Sequence, residues 1–268
     1  MEDYRGRGTT GRSLLPSIGC PTTAGTGSET QSFALISDSQ TGEKLACGDP
    51  NAAFRVAILD PCLTVTQPAR VTALTGIDAL SHAIESHVST EATPASRIFS
   101  REAWKLLTKN LPNVFCNPTD IHARAAVQLG AAWAGLAIEN AMLGAAHGAA
   151  NPLTARYKVT HGQAVGLMLP HIIRFNGTVV QAQYAELAAV AGLSTEAPES
   201  SLADWIRTLL KQTGLYQPLG DLIGTHSKTS AIAHLAEEAS TQWTSSFNPR
   251  PCSSADFVEL YQRASAEA

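Results

Sequence analysis

The sequence predicts a mainly α-helical chain that opens on the tail end of an α/β region. Three observations carry this. From about Leu14 to Pro61 the texture is short β-branched or aromatic runs separated by turn residues. From about Thr66 onward it changes to Ala-rich segments with apolar residues at helical spacing. The punctuation between the two regimes falls near Thr64–Pro68, which divides the chain into residues 1–66 and 67–268. A few strands without preceding β-α-β units do not complete a doubly wound sheet. The first part therefore reads as a piece of a larger sheet, and edges near Ser32–Asp60 are expected to be exposed and prone to pairing.

The elements follow in order. "FALISD" and "FRVAILD" are strand-like, bounded by the turn sequences "SQTGEK", "GDPN" and "PCLT". "TQPARVTALTGIDALSHAIESHVS" is helical, with Thr66 as the expected N-cap and Pro68 in the first turn. "TPASRIFSREAWKLLTKNL" has Pro94 early in a helix and an apolar stripe at Ile98, Trp104, Leu107 and Leu111. Helices are also expected over "PTDIHARAAVQLGAAWAGLAIENAML", "GQAVGLMLPHIIRFNG" and "AQYAELAAVAGL". Three more fall over "SLADWIRTLLKQTGL", "KTSAIAHLAEEAST" and "SADFVELYQRAS". The most apolar stretch, Ala125 to Ala150, contains Gln128, Glu139, Asn140 and His147. Those polar groups mark it as a buried helix pair and not a membrane span.

Composition narrows the function. The 268 residues are ample for a core, and the net charge of -4 with no run of Lys and Arg argues against a nucleic-acid surface. Only 16% of residues are charged, below the usual share of about 25%. That points to extensive burial or to an interface between copies, so a homo-oligomer is expected. The five cysteines (Cys20, Cys47, Cys62, Cys116 and Cys252) form no CxxC pair and read as reduced thiols of a cytoplasmic protein. The polar N-terminus "MEDYRGRGTTGRSLLP" has no apolar core of a signal peptide.

The chemistry sits in four motifs. In "GIDALSHAIE", Asp78 and His82 are four residues apart in an apolar helical run, so both project from one face. Alone, the pair reads as an Asp–His hydrogen bond or a surface pair before it reads as two metal ligands. His147 and His161, each followed by Gly, lie in segments too apolar to face solvent. One Asp and three buried imidazoles make a nitrogen–oxygen donor set suited to zinc or ferrous iron. His87, nine residues after Asp78, falls on another face; His122 and His234 read as surface or core residues. His171 and His226 are further candidates. "PTTAGTGSE" offers the hydroxyls of Thr22, Thr23, Thr26 and Ser28 and a Gly-rich concave backbone, suited to phosphate or ribose and equally to a plain polar turn.

"PTTAGTGSE", "GIDALSHAIE", "HGAANPL" and "THGQAVGLMLPH" stand in the order and at the spacing of one family. From roughly Leu14 to the tail, the chain resembles the iron-containing (group III) alcohol dehydrogenases, relatives of maleylacetate reductase, lactaldehyde reductase and butanol dehydrogenase. The resemblance implies the C-terminal helical domain of a dehydroquinate-synthase-like fold, preceded by a remnant of an α/β nucleotide-binding domain, with catalysis in the cleft between them. It implies Asp78, His82, His147 and His161 as ligands of Fe(2+) or Zn(2+). It implies Thr22, Thr23 and Thr26 as contacts of NAD or NADP, with Lys44 and Leu63 contributing. The reaction it implies is hydride transfer between that cofactor and a small alcohol, aldehyde or keto acid.

Two departures from the family pattern stand out. The Gly-Gly-Gly-Ser-type turn that grips the pyrophosphate in the family is not in this sequence, so a truncated chain is expected. Many members also carry a histidine four residues after the third ligand, where this chain has Asn151, which hydrogen-bonds but does not titrate. Ile138, Asn140 and Asn151 are expected near the substrate. Two alternatives stay open. One is a metal-dependent hydrolase or lyase with Glu85 or Glu139 as base. The other is a truncated, inactive fragment that still binds metal.

Overall fold

The protein is described by a computed structural model that covers residues 6–7, 14–37, 44–224 and 228–266. Among these residues the first part holds two small sheets. Strand β1 (Gly6–Arg7) pairs in parallel with β4 (Lys44–Gly48), and β4 pairs antiparallel with β3 (Phe33–Ser37). Separately, β2 (Ile18–Gly19) pairs in parallel with β5 (Val56–Ala57). "FALISD" thus forms a strand as its pattern predicts. "FRVAILD" shortens to the two residues of β5. Its Val56 and Ile58 are about half exposed, and Ile18 across the pair is 63% exposed. Parallel pairs ordinarily sit in sheets covered on both faces; this one presents apolar side chains outward.

The rest is helical. Helix α1 (Ala69–Val88), α2 (Pro94–Cys116) and α3 (Ile121–Ala141) pack on one another. Beside them lie α4 (Ala145–Tyr157), α5 (His161–Asn176), α6 (Gln181–Val190) and α7 (Pro198–Gln212). The short α8 (Leu219–Ile223), then α9 (Lys228–Thr241) and α10 (Ser254–Ala266) complete the body. α5 is the hub, in contact with α1, α4, α7 and α10. The bulky interior is built from Ile77, Leu80, Trp104, Leu107, Leu153 and Met168, all under 2% exposed.

Several local signals are realised. Thr93 caps α2 through a reciprocal capping box with Ser96, and Pro94 occupies the first turn. Asp120 caps α3 by accepting from Ala123 N–H at 3.0 Å. Others are corrected. α1 begins after Pro68, with no side-chain cap, so Thr66 is not its N-cap. In α2 the stripe holds at Trp104, Leu107 and Leu111, but Ile98 is 57% exposed because it lies about one and two-thirds turns before Trp104, on the solvent side. The Ala125–Ala150 stretch is a helix pair: Met142 adopts a positive φ of 67° and ends α3 before α4 begins. No helix among the described residues is long and apolar enough to cross a membrane.

The first part is tied to the helices by a buried cation. Arg124 of α3, 4% exposed, donates from Nη1 to the Thr64 carbonyl at 2.7 Å and from Nε to the Pro118 carbonyl. Thr64 closes the 3-10 turn Pro61–Thr64 that leads into α1. Arg124→Met keeps the apolar stem but strands a buried carbonyl. It should lower unfolding free energy by about 1.5–3 kcal/mol, read from urea denaturation.

Candidate metal centre and its cleft

Asp78, His82 and Glu85 sit on one face of α1, at i, i+4 and i+7. α4 brings His147 to this face, and the first residue of α5 is His161. The approach of α5 depends on the residue after His161. A Cβ on Gly162 would lie 2.2 Å from the Leu74 carbonyl oxygen, so only glycine lets the two helices come this close.

One oxygen organises the cluster. Asp78 Oδ1 lies 3.5 Å from His82 Nε2, 3.5 Å from His147 Nε2 and 3.6 Å from His161 Nε2. Asp78, His147 and His161 present donor atoms all within 4.8 Å of one another. The His82 ring stacks on His147 with centroids 5.0 Å apart. These separations are longer than hydrogen bonds. They match the spacing of ligands around a single tetrahedral ion, which is about 3.3–3.6 Å for bonds of 2.0–2.2 Å. Asp78 Oδ1 and His147 Nε2 are buried with no hydrogen-bond partner, an arrangement that costs free energy unless something charged stands between them. An oxygen with three imidazole nitrogens fits zinc or ferrous iron.

The electrostatics of the cluster are divided. Burial raises the Asp78 carboxyl, but the surrounding His82, His147 and His161 outweigh it and hold Asp78 well below the usual carboxylate range. Burial lowers His82, and the nearby Asp78 does not offset it. Burial also works against His147, yet Glu85 and Asp78 together overcome it and push His147 up to about 9.

The cluster opens on a cleft of about 600 Å³, large enough for a bound small molecule. Thr26 and Ser28 line one side, and the Thr26 hydroxyl donates to Ser28 Oγ at 3.2 Å. Gly27, with φ of 62°, turns this segment against α3, where a Cβ would come within 2.6 Å of Gly135. Asn151 lines the cleft one turn after His147, and its Nδ2 donates to Gln242 Oε1 at 3.0 Å. Ile138, Leu143, Phe33 and Trp243 supply an apolar wall.

The remaining expected residues are dispersed. Thr22 is exposed, and Thr23 lines a separate small cavity with Thr64 and Arg124. Leu63 is 40% exposed and Lys44 opens β4, its side chain outside the described residues. Asn140 is exposed and bonds back to the Leu136 carbonyl, away from this cleft. His122 and His234 are exposed. His87 is fully buried on the far side of α1, 2.9 Å from Ser100 Oγ, and burial lowers it to about 4 against the pull of Glu186. His171 is buried outside the donor cluster, and His226 lies outside the described residues. Sequence reasoning missed Gln242, Trp243 and Thr244, which reach the cleft from a 3-10 turn far along the chain and carry no local signal.

The family profile described as "Fe-containing alcohol dehydrogenase family, C-terminal" matches residues 72–265, and "Iron-containing alcohol dehydrogenase" matches residues 1–61. The chain is 34% identical over 272 residues to the NAD-dependent methanol dehydrogenase of Bacillus methanolicus, covering 98% of this chain and 70% of that protein. It superposes on a crystal structure of 1,3-propanediol oxidoreductase with a TM-score of 0.91 and 30% identity, covering 98% of this chain and 69% of that one. Sulfoacetaldehyde reductase from Bifidobacterium kashiwanohense, solved in complex with NAD+, gives a TM-score of 0.89 at 30% identity and covers 100% of this chain and 69% of that one. With both parts of the sequence matched and the helical body superposed throughout, the chain belongs to the iron-containing alcohol dehydrogenases, a family of oxidoreductases acting on alcohols.

Proposed function

We propose that this chain holds a catalytic divalent ion, Fe(2+) or Zn(2+), on Asp78, His82, His147 and His161, and uses it in NAD(P)-dependent interconversion of a small alcohol and its aldehyde. The observation that carries this is the single carboxylate oxygen ringed by three imidazole nitrogens at 3.5–3.6 Å. When bound, the ion supplies Lewis acidity to the substrate oxygen, and the nicotinamide supplies or accepts hydride.

The chain's own residues do the rest. His161 is the most open member of the cluster, its side chain 27% exposed, and marks the side from which substrate enters. Ile138, Leu143 and Trp243 keep water from the reacting carbon. The Asn151–Gln242 pair offers fixed polar groups beside the cluster, and Asn151 positions without titrating. The Thr26 turn lines the same cleft and is the part of "PTTAGTGSE" best placed to meet the nicotinamide end of the cofactor; Thr22, Thr23, Lys44 and Leu63 would meet parts of it farther out. On this reading residues 1–66 belong to the cofactor half and 67–268 to the metal half, a division supported by profile matches that stop at 61 and resume at 72.

A hydrolase or lyase reading needs a free carboxylate base. Glu85 is held by His147 Nδ1 and Ala146 N–H, and Glu139 by Ser32 through its N–H at 3.0 Å and its hydroxyl at 2.5 Å. That engagement favours hydride transfer.

The test is to load the chain with zinc, or with ferrous iron under anaerobic conditions, and follow nicotinamide reduction with NAD+ and NADP+ over a panel of short alcohols. Metal-dependent turnover with one cofactor is expected. Ester or phosphate hydrolysis in its place would overturn the reading. Absence of saturable NADH binding by fluorescence would mark an inactive metal-binding fragment. Asp78→Asn and His161→Ala should each lose more metal affinity than the roughly 10–100-fold typical of outer-shell changes. Full metal content by elemental analysis in both would remove the ligand assignment.

Metal uptake should also depend on pH in a stated direction. In the metal-free protein His147 keeps its extra proton up to about pH 9, and an incoming ion must displace it. Calorimetry at pH 7.5 in buffers of different ionisation enthalpy should therefore show about one proton released from His147 per ion, with affinity rising with pH until about 9.

A further inference from the structure

Glu85 is a buried carboxylate, 4% exposed, that the reaction does not consume. Its two oxygens have separate partners. Oε2 lies 2.5 Å from His147 Nδ1, and Oε1 accepts from the Ala146 backbone N–H at 2.7 Å. The second contact lies at the first turn of α4, whose N-cap residue, Gly144, provides no side-chain cap. A Cβ at Gly144 would lie 2.9 Å from Glu85 Oε1 and 3.1 Å from Asn248 Oδ1, so the chain carries no side chain where these two groups pass. Asn248 Oδ1 accepts from Ala145 N–H at 3.3 Å. The start of α4 is therefore capped from outside, by α1 and by the segment after the last 3-10 turn.

We infer that Glu85 is a positioning residue that fixes His147 with its proton on Nδ1 and its Nε2 aimed at Asp78, while capping the helix that carries His147. The inference rests on the reading of His147 as a metal ligand. A carboxylate is the group suited to both tasks: it only accepts, so it forces Nδ1 to donate and leaves Nε2 free as a ligand. Seven residues separate Asp78 from Glu85, about two turns of α1. One helix face thus presents a ligand and, two turns away, the group that aims another ligand. A carboxylate buried here for packing alone would need neither contact, and an isolated buried charge is costly.

The test compares wild type, Glu85→Gln and Glu85→Asp. Gln keeps the size and one acceptor but removes the charge; Asp keeps the charge and withdraws it by one methylene. Each is checked for fold by circular dichroism. Zinc affinity is measured by chelator competition, and the His147 ring by ¹⁵N-histidine NMR in metal-free and zinc-loaded protein. Wild type should show a strongly deshielded Nδ1–H proton. Glu85→Gln should lose that signal and bind zinc about 10–100-fold more weakly, the range for changes behind a metal-ligating histidine. Glu85→Asp should restore part of both. Unchanged affinity with an unmoved Nδ1–H resonance in Glu85→Gln overturns the inference. If wild type binds no zinc, the ligand reading fails. The metal-free Nδ1–H resonance then still decides whether Glu85 holds the ring, since an identical signal in Glu85→Gln counts against it. If Glu85→Gln does not fold, Glu85→Asp alone decides, and wild-type affinity with an unshifted resonance in it overturns the inference.

Discussion

The fold is arranged around one buried carboxylate oxygen. Asp78 Oδ1 has three imidazole nitrogens at 3.5–3.6 Å and no hydrogen bond. Four polar groups can share a dry interior only if their charges balance, which three helices must arrange together. α1 contributes two of them, α4 and α5 one each. The close packing of α5 on α1 at Gly162 and the abrupt end of α3 at Met142 are the backbone conditions that bring them to one point.

α1 also shows how a single helix keeps unlike environments apart. Asp78 and His87 are nine residues apart, about two and a half turns, and so face opposite ways. On one side the imidazoles are surrounded by carboxylates, and His147 is held protonated up to about 9. On the other, His87 is buried against Ser100 and lowered to about 4. The difference comes from the two carboxylates, Asp78 and Glu85, that α1 itself turns towards His147, where His87 meets Ser100 of α2 and Glu186 of α6. Burial acts the same way on both histidines; only the accumulated negative charge reverses its effect.

Much of this is legible in the sequence, for reasons that can be traced. The helical body follows from long segments of regular periodicity. The donor set follows from polar residues placed in runs otherwise too apolar to tolerate them, as at Asp78, His82 and His147. What the sequence does not convey depends on long-range contact. The helix of Ala145–Tyr157 is legible only at its start, as the second member of the Ala125–Ala150 pair; its extent beyond Ala150 follows no apolar period. "KLACG" becomes β4 between two partners, β3 on one side and β1 on the other. Glu85 lies on the face of Asp78 and His82, yet its task is set by residues some sixty positions later. The wall contributed by Gln242, Trp243 and Thr244 is local to nothing around it. The separation of Thr22 and Thr23 from Thr26 reflects a turn whose successive side chains face different surroundings, and Leu63 lies in the 3-10 turn Pro61–Thr64, well away in sequence.

The outside capping of α4 makes distant parts of the chain mechanically dependent. Asn248 holds Ala145 N–H and exchanges hydrogen bonds with Asn176 at the end of α5, at 2.8 and 3.0 Å. Arg250 donates to the Phe175 carbonyl at 2.9 Å and its guanidinium lies over the Phe175 ring. The last fifth of the sequence is in this sense a keystone. Among the described residues it supplies no ligand to the donor cluster, yet the helix bearing His147 and the helix bearing His161 are both locked against it. Local opening at the C-terminal end and loosening of the donor cluster are then one cooperative event.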